Sequence, residues 1–241
     1  MNPLKILYQD DWMVAIDKPP GMFVHPTEDP RNYSPIEKTC LGIVKNQIGK
    51  YLYPVHRIDR PTSGVVVFAL SSEAARFLAE QFQNNTIKKK YVAVVRGYSP
   101  KTGVIDSSLK NLDNGNEQDS KTSFETLAQI ELPYPTQEKF TSSRYSLITA
   151  EPHSGRQHQI RRHLRRLNHP LIGDRTYGDP KSNLVFEEKL QIHGLMLKAY
   201  GLRLIHPENK NATWIHANWN HTWHQVFDLF NFCPYISSTD S

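Results

Sequence analysis

Short runs of hydrophobic residues alternate with polar turns along the chain, and their spacing predicts a mixture of strands and helices. The predicted strands cover residues 4–10, 12–18, 65–70, 89–96, 122–131 and 143–150, and residues 51–58 are expected to be extended. The predicted helices cover residues 34–48, a segment capped by Ser71 or Ser72 that runs to about Asn84, residues 157–168 and a final helix near the C-terminus. Polar composition predicts exposed loops at residues 111–121 and 133–142.

These elements do not follow a regular strand–helix–strand alternation. This favours an α+β fold, with helices flanking a mixed, largely antiparallel sheet. Because the chain of 241 residues shows no convincing linker or repeat, we expect one domain over residues 1–241, with its core at about residues 4–230.

The predicted helix at residues 157–168 combines a narrow apolar stripe with a high positive charge. Ile160, Leu164 and Leu167 recur at helical spacing and define the stripe. Five arginines surround it, at positions 156, 161, 162, 165 and 166. Such a run is either a solvated face or a surface that binds phosphate groups. His158 and His163 are five positions apart and share no helix face, so we expect surface or RNA-contacting histidines rather than a metal pair.

Composition narrows the class of protein. The net charge of +5 and the pI near 9.1 are moderately basic, and Lys88, Lys89 and Lys90 form a second basic cluster. Cys40 and Cys233 are expected to be reduced structural thiols, and no CxxC pair supports a zinc site. The N-terminus lacks the pattern of a signal peptide, and the longest apolar run is too short to span a bilayer. We therefore expect a soluble, cytoplasmic protein.

Two segments carry candidate chemistry. Asp59 lies between an extended segment and a Pro-Thr-Ser-Gly turn, and the flanking Arg57 and Arg60 favour its carboxylate form. Such a carboxylate can act as a nucleophile or a base, although a turn aspartate is more often an Asx-turn residue or an ion-pair partner. Tyr91 begins a strand beside the lysine cluster, where it either stacks on a nucleic-acid base or belongs to the core.

Several other chemistries lack the motifs they need. The sequence has no Gly-rich kinase loop or DFG, no Walker A sequence, no dinucleotide fingerprint and no zinc-deaminase pair of motifs. Pattern and composition alone therefore predict a basic α+β protein with one candidate catalytic aspartate, and they do not identify its reaction.

Four ordered elements resemble the motifs of the RluA family of pseudouridine synthases. They are Lys18 to Pro26, His56 to Gly64, Lys89 to Gly97, and Gly155 to His163 followed by His169-Pro-Leu-Ile-Gly-Asp174. The resemblance extends from about residue 4 to residue 230. It implies the pseudouridine synthase fold with a central basic cleft, and no metal or organic cofactor.

The resemblance also implies roles for individual residues. Asp59 matches the nucleophile, Tyr91 the tyrosine that packs on the target base, and Arg161 the arginine that pairs with the catalytic aspartate. Arg57 matches the arginine that fills the gap left by a flipped uridine, and Leu197 a residue of the base pocket. His56, Lys89, Arg156 and His158 are further expected contacts of the RNA. Lys198-Ala199 departs from the usual His-Ala of the family.

The implied partner is structured RNA, and among family members the sequence is most similar to those that modify uridine 65 in the acceptor-side stem of tRNA. We also expect a monomer without an S4-like RNA-binding module, a membrane association or a protein partner. Two alternatives stay open: the same chemistry on large-subunit ribosomal RNA, and a catalytically idle RNA-binding protein.

Overall fold

The structure is a computed structural model that describes residues 2–27 and 33–234. It divides into two compact units: unit 1 comprises Met1–Lys89 and Ala199–Asn218, and unit 2 comprises Lys90–Lys198 and Trp219–Ser241. Within the described ranges, none of the helices combines the length and hydrophobicity needed to cross a bilayer.

The described residues form strands and α-helices in mixed order, as an α+β fold requires. The strands are β1 (Lys5–Gln9), β2 (Met13–Lys18), β3 (Tyr53–Pro54), β4 (Ser63–Ala69), β5 (Lys88–Arg96), β6 (Thr102–Asp106), β7 (Leu109–Lys110), β8 (Glu117–Gln118), β9 (Lys121–Leu132), β10 (Ser143–Pro152), β11 (Leu197–Ile205) and β12 (Ala212–His216). The helices are α1 (Cys40–Ile48), α2 (Ser72–Gln83), α3 (Gln159–Arg166), α4 (Pro180–Leu184) and α5 (His221–Leu229).

Strand β4 is the centre of unit 1. It pairs antiparallel with β2, with Met13 opposite Ala69 and Lys18 opposite Gly64, and β1 continues the sheet beyond β2. All seven β4 residues are buried, because alternate side chains enter two different hydrophobic clusters. Helix α2 covers one face and α1 covers the other. A strand covered on both faces needs a continuous apolar run, which is what its sequence shows.

The two helices of unit 1 begin at side-chain caps. Ser71 accepts a hydrogen bond from the Ala74 N–H, which confirms the predicted start of α2. Helix α1 was predicted from residue 34 but begins at Cys40, after a separate 3-10 turn at Ile36–Lys38. The break occurs at Thr39, whose extended backbone and side-chain oxygen cap the helix at the Gly42 N–H.

Unit 2 is built on an antiparallel sheet with the strand order β5, β10, β9 and β6. Sequence patterning missed β6, because only Ile105 of its five residues is buried. The predicted loop at residues 111–121 is partly wrong: β7 and β8 form a small hairpin there, with an exposed tip between them, and β9 begins at Lys121. The predicted loop at residues 133–142 is confirmed.

Helix α3 packs on this sheet through Ile160 and Leu164, which join a cluster that includes Val95 and Ile148. It is shorter than the predicted segment of residues 157–168. Leu167, the third residue of the predicted stripe, lies at the C-terminal cap and is 40% exposed. The apolar contact of α3 is therefore confined to two residues on one turn.

Candidate active site

The segment that carries Asp59 runs between β3 and β4 in unit 1 and is tied down by its backbone. The Thr62 N–H donates to the Asp59 carbonyl oxygen at 3.0 Å, which closes a turn over residues 59–62. This turn lies two residues before the predicted one at residues 61–64, because Ser63 and Gly64 already belong to β4. The Gly21 N–H donates to the Arg60 carbonyl oxygen at 2.8 Å, so the turn after β2 is bound to the same segment. The Asp59 side chain is half-buried, and Arg57 and Arg60 are exposed. The carboxylate therefore lies on a short turn that backbone hydrogen bonds hold in place.

A buried ammonium group holds these two turns together. Lys18 is completely buried at the end of β2, and its Nζ donates to the carbonyl oxygens of Pro19, Met22 and Arg60 at 2.9, 2.8 and 3.0 Å. Burial is the main cause that lowers the pKa of Lys18 to about 8; Cys40 and the Asp59 carboxylate oppose this shift, and the positive charge of Arg60 adds to it. Sequence analysis assigned Lys18 no role. The available clue was a lysine at the end of a strand whose first four residues are apolar.

His56 is half-buried beside β4. Its Nε2 accepts a hydrogen bond from the Val67 N–H at 2.9 Å, and its ring stacks on Phe82 with 4.3 Å between centroids. Burial lowers the pKa of the imidazole to about 3, and the positive charge of Lys89 adds to the effect. A neutral ring that accepts at Nε2 carries its proton at Nδ1. The ring therefore fixes the segment that leads to Asp59.

In unit 2, Arg161 forms a bidentate pair with Asp174. Its Nε and Nη2 donate to Asp174 Oδ2 and Oδ1 at 2.7 and 2.8 Å, and the two side chains are 5% and 0% exposed. The N–H groups of Thr176 and Tyr177 also donate to Asp174 Oδ1, and this set of donors lowers the pKa of the carboxyl despite its burial. Asp174 thus fixes the plane of the guanidinium and uses two of its five N–H groups.

The predicted pairing of Arg161 with Asp59 would join residues of different units and stays a prediction. Sequence analysis quoted Asp174 as part of a motif but missed its contact with Arg161. The pair is separated by 13 positions, which no helical or strand spacing links.

Tyr177 connects Arg161 with His158. The guanidinium carbon of Arg161 lies 5.1 Å from the centre of the Tyr177 ring, and His158 Nδ1 is 3.1 Å from the Tyr177 hydroxyl. His158 has a left-handed backbone with φ of 54° immediately before α3, which directs the chain into the helix. Arg156 lies in the same segment before α3, and its Nε donates to the Asp119 carbonyl oxygen at 3.1 Å.

The expectation that His163 lies at the surface is wrong. The residue is completely buried; Nδ1 lies 2.9 Å from the Thr122 hydroxyl, and Nε2 lies 3.0 Å from both the Ser120 hydroxyl and the Ser107 carbonyl oxygen. Burial lowers the pKa of the ring. A neutral imidazole matches these partners, because Nε2 donates to the Ser107 carbonyl oxygen and Nδ1 accepts from the Thr122 hydroxyl. His163 therefore anchors α3 to β9.

Tyr91 and Leu197 lie in one hydrophobic cluster of unit 2. Tyr91 is half-buried on β5, opposite Ala150 of β10, and packs against the cluster. Leu197 is a member of the cluster at 3% exposure, and the following Lys198 is 2% exposed. The structure thus brings together an aromatic ring and the leucine predicted for the base pocket.

Comparisons with known proteins identify the family of this chain. A family model described as RNA pseudouridylate synthase matches residues 12–166. The tRNA pseudouridine synthase C of Vibrio vulnificus is 40% identical over 241 residues, covering 95% of this chain and 96% of that protein. The protein of the same name from Haemophilus ducreyi is 40% identical over 240 residues, with the same coverage.

Two solved human structures share the fold, which confirms the predicted fold class. Human RNA pseudouridylate synthase domain containing 4 superposes with a TM-score of 0.71 at 23% identity, over 94% of this chain and 93% of that chain. Human RNA pseudouridylate synthase domain containing 1 gives 0.67 at 20% identity, over 97% and 99%. Since the family model matches more than half of the sequence and relatives about 40% identical extend along 95% of it, the chain belongs to the RNA pseudouridylate synthase family.

Proposed function

We propose that this protein isomerises uridine 65 in the acceptor-side stem of tRNA to pseudouridine, with Asp59 as the nucleophile. The observation that carries the proposal is the near full-length similarity, at about 40% identity, to proteins named tRNA pseudouridine synthase C. The fixed turn around Asp59, held by Lys18 in unit 1, supports the role of the carboxylate.

In the proposed reaction, the Asp59 carboxylate forms a bond either to C1′ of the ribose or to the uracil ring. The bond between C1′ and N1 breaks, and the uracil leaves with that electron pair. The uracil rotates and its C5 then bonds to C1′. The C5 proton is lost, N1 takes up a proton, and Asp59 is released. Because uridine and pseudouridine are isomers and Asp59 is regenerated, the reaction involves no net oxidation or reduction, and we propose that it uses no metal, organic cofactor or protein partner.

The other site residues have supporting roles in this proposal. Tyr91 packs on the target base beside Leu197 and can assist removal of the C5 proton, and Arg161 orients the Asp59 carboxylate. Arg57, which is exposed, occupies the gap left by the flipped uridine. Lys89, Arg156 and His158 contact the RNA, while His56 acts through the segment that it fixes. Since tRNA is a cytoplasmic RNA, we place the activity in the cytoplasm and assign it to a single chain.

Loss of the C5 proton provides a direct test. The wild type should release tritium from tRNA transcribed with 5-tritiated uridine, and Asp59→Asn should release none, because the amide is not a nucleophile. The control is Asp11→Asn, which changes an aspartate whose side chain is 93% exposed and should keep full activity.

The substrate is tested with the same assay. A tRNA in which uridine 65 is replaced by cytidine should release no tritium. Release that continues from this tRNA would reject the position, and release from large-subunit ribosomal RNA fragments alone would reject tRNA as the substrate. RNA binding by the wild type without tritium release from either RNA would reject the enzyme in favour of an RNA-binding protein.

A further inference from the structure

A polar cavity of about 460 Å³ opens in unit 1, next to the turn that carries Asp59. Its lining includes Gly21, Phe23, Tyr33, Ser34, Lys38 and Arg60. Within the described part of the chain, this lining has no acidic side chain. Cavities of roughly 300–1,000 Å³ are typical of small-ligand sites, and this one combines cations with aromatic rings.

Arg60 is held in a fixed position at the cavity wall. Its Nε donates to the Gly21 carbonyl oxygen at 2.9 Å, and its guanidinium carbon lies 4.9 Å from the centre of the Phe23 ring. Its own carbonyl oxygen accepts from the Gly21 N–H and from the buried Lys18 ammonium. These contacts hold the planar head group of an exposed arginine in place, which is the arrangement suited to binding a phosphate.

Lys38 adds a second cation and Tyr33 adds an exposed ring. Lys38 ends the 3-10 turn before α1, and its side chain is exposed. Tyr33 is 74% exposed, which is unusual for so large an aromatic side chain. An exposed aromatic ring beside cations is the combination that proteins use to bind single-stranded nucleotides, because the ring stacks on a base while the cations contact the backbone.

We propose that this cavity binds one nucleotide of the substrate RNA other than the target uridine. Arg60 and Lys38 contact its phosphate, and Tyr33 stacks on its base. The inference rests on the proposed function in one respect, namely that the substrate is RNA. Arg60 directly follows Asp59, so the cavity lies beside the turn that carries the proposed nucleophile.

The test uses Tyr33→Ala and Lys38→Ala, since Arg60 supports the turn itself and its removal could disturb folding. Equilibrium affinity for a tRNA transcript is measured by filter binding over a range of salt concentrations. Tyr33→Ala should weaken binding about tenfold without changing the salt dependence, because stacking releases no counterions. Lys38→Ala should lower the slope of log affinity against log salt by about one, as expected for one lost phosphate contact.

Matched controls come from the same unit. Tyr51 is 63% exposed and Lys45 lies over its ring, and neither lines the cavity. Tyr51→Ala should bind tRNA within about twofold of wild type, and Lys45→Ala should keep the wild-type salt slope. For both cavity variants, the limiting rate of tritium release at saturating enzyme should equal that of wild type, because the cavity contributes to binding and not to bond changes.

Four outcomes separate this inference from the proposed function. Wild-type affinity in Tyr33→Ala would overturn the subsite, and so would an equal loss in Tyr51→Ala. A loss confined to Tyr33→Ala and Lys38→Ala supports the subsite even if the wild type releases no tritium, a result that would reject only the isomerase. Failure of the wild type to bind any tRNA would overturn both.

Discussion

Three buried polar side chains of this protein are held by specific partners. Lys18 donates to three carbonyl oxygens, Arg161 forms a bidentate pair with Asp174, and His163 matches two hydroxyls and a carbonyl. Burial of a charged group without partners costs several kcal/mol, so these contacts stabilise the segments that supply them. Each of these residues therefore holds a segment of the site in place.

The Arg161–Asp174 pair gives a prediction for stability. Asp174→Asn should lower the free energy of unfolding by about 3 kcal/mol, because it leaves a buried guanidinium without its counter-charge. Urea denaturation monitored by tryptophan fluorescence measures the effect. The control is Asp11→Asn at the exposed pair with Lys50, where the loss should stay below about 1 kcal/mol. Equal losses in the two variants would contradict a structural role for the buried pair.

His56 gives a prediction for pH dependence. Its pKa is about 3 in the folded protein and about 6.5 when unfolded, so below pH 6.5 only the unfolded chain takes up the proton. The free energy of unfolding should therefore fall as the pH drops through this window. Relative to His56→Gln, whose amide oxygen can still accept from Val67, the wild type should lose about 1 to 2 kcal/mol between about pH 7 and pH 5.

Urea titrations at several pH values measure this difference. The lowered pKa of the buried His163 acts in the same direction, but it cancels in the comparison because both proteins retain it. His224→Gln, on an exposed position of α5, is the matched control and should follow the wild-type curve. Parallel curves for wild type and His56→Gln would show that His56 gains its proton while folded.

Among the elements, β4 places the strongest constraint on the chain. It begins directly after the Asp59 turn, and its residues fill clusters on both faces of the sheet. At its start, Gly64 has φ of 119°, and a Cβ atom there would lie 2.0 Å from the Ala199 carbonyl oxygen of β11. The approach of these two strands in unit 1 therefore depends on the missing side chain.

Gly64→Ala should lower the free energy of unfolding by about 3 kcal/mol or more, because two backbones would have to separate. Gly115→Ala is the control: Gly115 also has positive φ, at 77°, but a Cβ atom there would meet no other atom within 4 Å, so the loss should be about 1 kcal/mol. Chemical denaturation measures both losses. Their difference gives the steric effect, because the backbone strain from positive φ is present in both variants. Similar losses would indicate that strain alone accounts for Gly64.

At the scale of the whole molecule, the net charge of +5 favours binding to RNA, and the exposed arginines of α3 are candidate phosphate contacts. Arg165→Gln should reduce the slope of log tRNA affinity against log salt by about one. Arg76→Gln, an exposed arginine on α2 outside the motifs of the family, is the control and should leave the slope unchanged. If both variants keep the wild-type slope, the α3 arginines form a solvated face.

Local patterns in the sequence are enough to determine several elements of this fold. The β4 run, the Ser71 cap and the strands β5, β9 and β10 were predictable because neighbouring residues decide them. The family and the candidate nucleophile followed from four motifs in order, and the comparisons confirmed the family.

Which polar residues lie inside was decided by tertiary contacts. His163 is held by Thr122 and Ser120, which precede it by 41 and 43 positions, and Lys18 is held by Arg60, 42 positions further on. Arg161 meets Asp174 through a turn that no periodicity describes. The physical reason is that burial of a polar group depends on partners supplied by distant segments, and a local pattern carries no information about them.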